Sequence, residues 1–171
     1  MKAGRVTTRS LAALPNEPLS ADDQFVLAET LDAVRATGQT RWIAQVVACG
    51  PLDPLTCYAL ADKRDRFLWL REEAAVARVA VGVADEVESA GPDRFRAVRS
   101  WMQDVTSRID WIGPPRPAKQ GTFFGGFGFE PTSRGAAEWK SFPAARFVLP
   151  EVLFEKGEGG ARWIRVARVE A

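Results

Sequence analysis

The 171 residues contain no histidine. That absence removes Ser-His-Asp and Cys-His nucleophile activation, histidine-ligated zinc and any imidazole general base. Chemistry on this chain would have to run on carboxylates, lysine, arginine or hydroxyls. Cysteine is nearly as scarce: Cys49 and Cys57 are the only two, and their spacing matches no metal or redox motif. Two thiols in a chain of this length imply reduced, structural cysteines and a cytoplasmic setting. No run of about 18 apolar residues exists, so no membrane-spanning helix is expected. The opening stretch "MKAGRVTTRSLAALPNEP" lacks an apolar core of signal-peptide length, so export is not expected either. Charge of one sign is also missing. A net charge of +1 asks for neither nucleic acid nor an anionic membrane as a partner.

What is there describes a folded domain. Hydrophobic residues make up 46% and charged residues 26%, too apolar a mixture for disorder. The length fits one domain, or one large half of a bigger one. Arginine far outnumbers lysine, a bias read as genome composition and not as phosphate binding.

Periodicity places the elements. Asp22 to Ala36 reads as a helix: Leu27, Leu31 and Val34 fall at helical spacing, acids open it and Gly38 stops it. Arg41 to Cys49, "RWIAQVVAC", is apolar and β-branched, as a buried strand should be, and "LTCYALAD" reads as a short helix. Arg66 to Glu72 and Ala75 to Ala84 look like two further strands. In "GPDRFRAVRSWMQDVTSRIDWIG" a helix is expected, with Phe95, Val98, Met102, Val105 and Ile109 as its apolar stripe. Its outer face would carry Arg94, Arg96, Arg99, Asp104 and Arg108. After the loop "PPRPAKQ", Thr122 to Phe129 and Ala145 to Lys156 read as strands, and Gly157 to Gly160 as the turn into a last one. The order predicts an α+β fold with a mixed, largely antiparallel sheet and packed helices.

The segment "GTFFGGFGFEP", Gly121 to Pro131, carries three closely spaced glycines among four phenylalanines. It is no phosphate loop, because Pro131 stands where a third spaced glycine belongs and no Gly-Lys-Ser/Thr follows. It is too short, and lacks the charged flanks, for a membrane-surface segment. A central strand remains, with glycines admitting a close neighbour and phenylalanines filling both sides. Trp139, Phe142, Pro143 and Phe147 read as packing aromatics; Lys140 and Arg146 are too few for a base-stacking platform. The acidic pairs Asp22-Asp23 and Glu72-Glu73 read as a helix start and a solvated turn.

The same segment, continued through "EWKSFPAARFVLPEVLFEKGEGGARW", closely resembles the N-terminal half of isochorismate synthases of the menaquinone type. The carrying pattern is Phe-Gly-Gly-Phe, Phe-x-Pro, Trp, Phe-Pro and Phe-Val-Leu-Pro, in that order. Upstream, "RFLWL", "VARVAVGVADEV" and "GPDRFRAVRSW" resemble the same family, so the likeness runs well from Arg66 to Val169 and only loosely before. Sister enzymes making anthranilate or aminodeoxychorismate share that fold. The Leu-Leu-Glu-Ser motif of tryptophan-regulated anthranilate synthases is missing here.

The resemblance implies a single N-terminal structural half over residues 1–171, with the catalytic chorismate-binding domain absent from the chain. In the family the catalytic lysine, the proton-donating glutamate and the glutamates that hold Mg²⁺ lie in that other half. No catalytic, cofactor-binding or metal residue therefore carries over; Lys140, Lys156 and Glu151 lie near the matched motifs but at no catalytic position of the family. Chorismate and Mg²⁺ are expected only in the complete enzyme. The partner expected here is a separately encoded catalytic half, or a second copy. The alternatives are a stand-alone binding or scaffold protein that kept the fold, and the N-terminal half of a sister chorismate enzyme.

Overall fold

A computed structural model describes residues 5–7, 19–50, 52–61, 65–71, 73, 75–113, 121–131 and 142–171. The expectations placed on Glu72, Trp139, Lys140 and the loop before Gly121 lie outside these residues. In chain order the elements are β1 (Arg5–Thr7), α1 (Ala21–Thr37), β2 (Arg41–Cys49), α2 (Pro54–Ala59), β3 (Arg66–Arg71), β4 (Val76–Val81) and β5 (Asp85–Ser89). There follow α3 (Arg94–Ser107), β6 (Ile109–Ile112), β7 (Phe124–Phe127), β8 (Ala145–Leu149), β9 (Val152–Gly157) and β10 (Gly160–Glu170).

The strands form two sheets. A seven-stranded sheet runs β3-β4-β9-β10-β2-β6, with β1 pairing the end of β10 beyond the reach of β9. Its pairs are antiparallel except β2 with β6. A second sheet of three strands, β5-β8-β7, is antiparallel throughout. This is the expected α+β class, with one sheet more than expected. Three layers result, because each face of the large sheet is apolar and needs a cover. One face packs against α1 and α2: Val34 meets Ile43, Ile112 and Val169, and Cys57 meets Val79, Val152 and Phe154. The other packs against α3 and the small sheet, where Trp42, Ala44, Val46, Ala80, Ile109, Leu153 and Ile164 close on Val105 and Leu149.

Local chemistry sets the helix ends. Ser20 caps α1 by accepting from the Asp23 amide at 3.1 Å, and Gly38 ends it in the left-handed region at φ 67°. Asp53 caps α2 in the same way, accepting from Thr56 N at 2.8 Å, with Pro54 in the first turn. The acidic start of α1 does more than cap. Asp23 is buried and accepts from the Gly113 amide at 2.9 Å, tying the helix to the end of β6.

Three expectations are corrected and one unread strand is added. The third helix ends at Ser107, and Ile109 belongs to a strand that lies parallel to β2. Asp85–Ser89 is a strand of its own in the small sheet. Ala145 to Lys156 is two strands, because Pro150 breaks the run and sends β8 into the small sheet and β9 into the large one. Finally, Arg94 is not on an outer face: it is 6% exposed, and its guanidinium donates to the carbonyls of Gly91 and Gly128 at 3.2 and 3.4 Å.

Candidate functional site

The glycine-phenylalanine segment lies at an edge. β7 holds "FGGF" and pairs only with β8 among the described strands, so it is not the central strand expected from sequence. Gly125 explains part of the composition. A Cβ there would stand 2.7 Å from the Cα of Phe147, so the neighbouring strand occupies the space a side chain would need. At Gly126 a Cβ would meet nothing within 4 Å.

The phenylalanines divide by face. Phe124 stacks on Phe67 of the large sheet at 5.6 Å between centroids, and Phe123 meets the edge of Trp101 from α3 at 5.1 Å. These join the two sheets. Phe127 packs between Phe95 and Phe147, at 4.4 and 4.9 Å, and all three are at least partly open to solvent. Phe129 is fully exposed. The face carrying Phe95, Phe127 and Phe129 is therefore open, where a core strand would have been covered on both sides.

A second locus lies across the large sheet. Trp69, Arg78, Glu155, Arg162 and Ala48 are consecutive Cα partners over β3, β4, β9, β10 and β2. They stand two residues along from Phe67, Ala80, Leu153, Ile164 and Val46, so both rows project from the same face. The small sheet and α3 cover the apolar row and stop short of the charged one; Trp69 remains 43% exposed. Glu155 is buried under its neighbours. Arg78 Nε donates to one carboxylate oxygen at 3.0 Å, while Arg162 Nε and Nη2 donate to the other at 2.9 and 2.6 Å. The Arg78 guanidinium also lies 5.5 Å from the Trp69 ring. Beside this row a cleft of about 270 Å³ opens, lined among others by Arg78, Lys156, Gly157, Gly160 and Arg162.

Other ionisable groups act as internal ties. Asp110 accepts from Arg41 Nε and Nη2, both at 2.8 Å, and from the Thr30 hydroxyl at 2.8 Å. The hydrogen bond to Asp110 raises the Arg41 pKa. Arg146 gathers Asp65 and Glu86, and its pKa rises through those hydrogen bonds. Asp85 accepts from the Trp101 indole at 3.3 Å. Arg165 differs: its Nη2 is buried without a hydrogen-bond acceptor among the described residues, and burial lowers its pKa. Glu151 stands at the corner between β8 and β9, and Lys156 lines the cleft near the other end of β9, so the two are not brought together. No catalytic residue follows from either.

A family model described as chorismate binding enzyme matches residues 29–169. The chain belongs to this family. The match begins inside α1 and ends one residue before the close of β10, so it takes in both sheets apart from β1, the cleft and the aromatic segment. No curated protein matches the chain. As a chorismate binding enzyme family member the chain carries the described carboxylates in a particular way. Asp23, Asp110 and Glu155 each have both oxygens engaged by protein donors. Mg²⁺ binding needs carboxylate oxygens turned toward a common point. Among the described residues no group of three or more His, Cys, Asp or Glu side chains is arranged to hold a metal.

The sequence reading missed the charged row. Arg78, Glu155 and Arg162 stand far apart in the chain, and only the register of β4, β9 and β10 puts them side by side. Composition marks each run as a strand; which strands are neighbours it does not show.

Proposed function

We propose that this chain is the N-terminal portion of an isochorismate synthase, serving as a structural layer and not as the catalyst. The observation that carries the reading is the commitment of Asp23, Asp110 and Glu155 to internal ties, within a fold of the chorismate binding enzyme family. A carboxylate whose two oxygens are both engaged by protein donors turns no lone pair to a substrate and makes a poor general acid or base. The motifs around Gly125 and Phe147 favour isochorismate over the anthranilate and aminodeoxychorismate products of the sister enzymes. In this reading chorismate and Mg²⁺ bind a catalytic half, and this chain shapes and supports it. A separately encoded catalytic chain is the partner.

The test is direct. The purified chain is incubated with chorismate and Mg²⁺, alone and with a catalytic half supplied in trans, and the products are separated. No turnover is expected alone, because general acid–base catalysis contributes about 10²–10⁴ in rate and its groups are committed elsewhere. Isochorismate should form only in the mixture. Isochorismate made by the chain alone at the rate of a complete enzyme would overturn the structural role. Anthranilate or aminodeoxychorismate from the mixture would overturn the choice of reaction.

A further inference from the structure

We propose that the cleft beside the Arg78–Glu155–Arg162 row is a binding site for a small organic carboxylate. Four observations meet there. First, donors are left over. A guanidinium carries five N–H groups, and Glu155 takes only the Nε edge of Arg78 and the Nε and Nη2 edge of Arg162. Among the described residues no protein acceptor reaches Arg78 Nη1 and Nη2 or Arg162 Nη1.

Second, the donors are held in place. Glu155 sits between the two arginines in register, with its side chain 11% exposed, and clamps both. A clamped guanidinium loses less rotamer freedom on meeting an anion than a loose one does. Glu155 itself has both oxygens turned to its partners, so it does not present its charge to the cleft.

Third, the charge is positive. Arg78 and Arg162 line the cleft against the single carboxylate of Glu155.

Fourth, the depression is built by glycine. Gly157 and Gly160 are Cα partners and follow Glu155 and Arg162 on the same face, two residues along each strand. A Cβ at either would meet nothing within 4 Å. Two missing side chains thus leave the hollow next to the arginines.

Size and lining choose the ligand. At about 270 Å³ the cleft falls just below ordinary ligand pockets, which begin near 300 Å³. A nucleotide is too large. Ala48 and Val76 supply apolar wall against the body of a small acid, while the arginine edges match a carboxylate. This site goes beyond the structural role proposed above and does not depend on it.

Benzoate is the probe. The melting temperature of the full chain is followed against benzoate at constant ionic strength, with chloride and inorganic phosphate in parallel. A saturable rise specific to benzoate is expected. Gly157→Val should abolish it by filling the hollow. That variant should fold, because Gly157 is a strand residue outside the left-handed region and its Cβ has open space. Arg162→Gln should weaken the apparent affinity about tenfold or more. An absent shift, an equal shift in Gly157→Val, or phosphate as effective as benzoate would overturn the assignment.

Discussion

Gly125 and Phe147 face each other across the β7–β8 pair with no room between them: a Cβ on the glycine would lie 2.7 Å from the Phe147 Cα. Gly126, the next residue, has open space at the same position. Two adjacent glycines in one motif therefore have different reasons to be there. Gly125→Val should destabilise the chain by overpacking, by about 1–3 kcal/mol. Gly126→Val should leave stability within about 0.5 kcal/mol of the parent. Urea melts of the two variants side by side check the contrast, and equal losses would refute it.

Asp110 joins three elements, taking two hydrogen bonds from Arg41 of β2 and one from Thr30 of α1. Asp110→Ala removes the acceptor and leaves Arg41 and Thr30 without it in a part-buried site. A loss of about 1–3 kcal/mol is expected. Thermal unfolding followed by circular dichroism measures it; an unchanged melting temperature would show that water replaces the carboxylate fully.

Arg165 is the opposite case. Its Nη2 is buried with no acceptor among the described residues, and burial lowers its pKa. Arg165→Met keeps the stem and removes the desolvated charge. The variant should be as stable as the parent or gain about 1 kcal/mol. Arg41→Met, which leaves Asp110 without its fork, should lose stability. A large loss in Arg165→Met would mean that the guanidinium has a partner after all.

The thiols carry a pH signature. Burial raises the pKa of both Cys49 and Cys57, with Cys57 the more enclosed. Folding thus favours the protonated thiols. Their contribution to stability is complete below the unfolded thiol pKa and is lost as pH rises through the folded one. Iodoacetamide at pH 8, close to the ordinary thiol pKa of about 8.5, should label the folded chain more slowly than the urea-unfolded chain. Cys49 should react before Cys57. Peptide mapping of partially labelled protein reads the order, and equal rates in the two states would contradict the burial.

The open aromatic face predicts association. Phe95 and Phe127 pack together yet remain exposed, Phe129 and Phe142 are exposed too, and β7 leaves a strand edge that no described strand pairs. Exposed apolar surface beside an open edge marks an interface or an aggregation liability. The isolated chain should bind a hydrophobic dye or form dimers, and Phe127→Ser with Phe129→Ser should reduce both. Sedimentation of a dye-silent monomer at high concentration would contradict the expectation.

The chain alone determined most of the elements and little of their arrangement. Spacing in Leu27, Leu31 and Val34 marked α1, and the apolar β-branched run from Arg41 to Cys49 marked β2 with its true ends. The glycines at Gly157 and Gly160 marked the last hairpin. These are local matters: a helix stripe, a strand's composition and a turn each need only neighbours in sequence. The family was visible too, in the ordered motifs from Arg66 onward, and the match over residues 29–169 bears out membership while leaving the particular reaction open.

Tertiary structure decided the rest. Ile109 has the spacing of a helical stripe, yet it pairs beside Trp42 in a parallel ladder, because β2 offers an edge that outweighs one more helical turn. Pro150 lies inside a single apolar run, and only the packing of two sheets turns it into a crossing between them. Arg94 looked solvated from its position among charges; the carbonyls of Gly91 and Gly128 that hold it come from loops the helix pattern does not mention. The Arg78–Glu155–Arg162 row exists only in the register of three strands. A sequence records which residues can share a face, whereas which faces and strands become neighbours is settled by the apolar area buried when the whole chain closes.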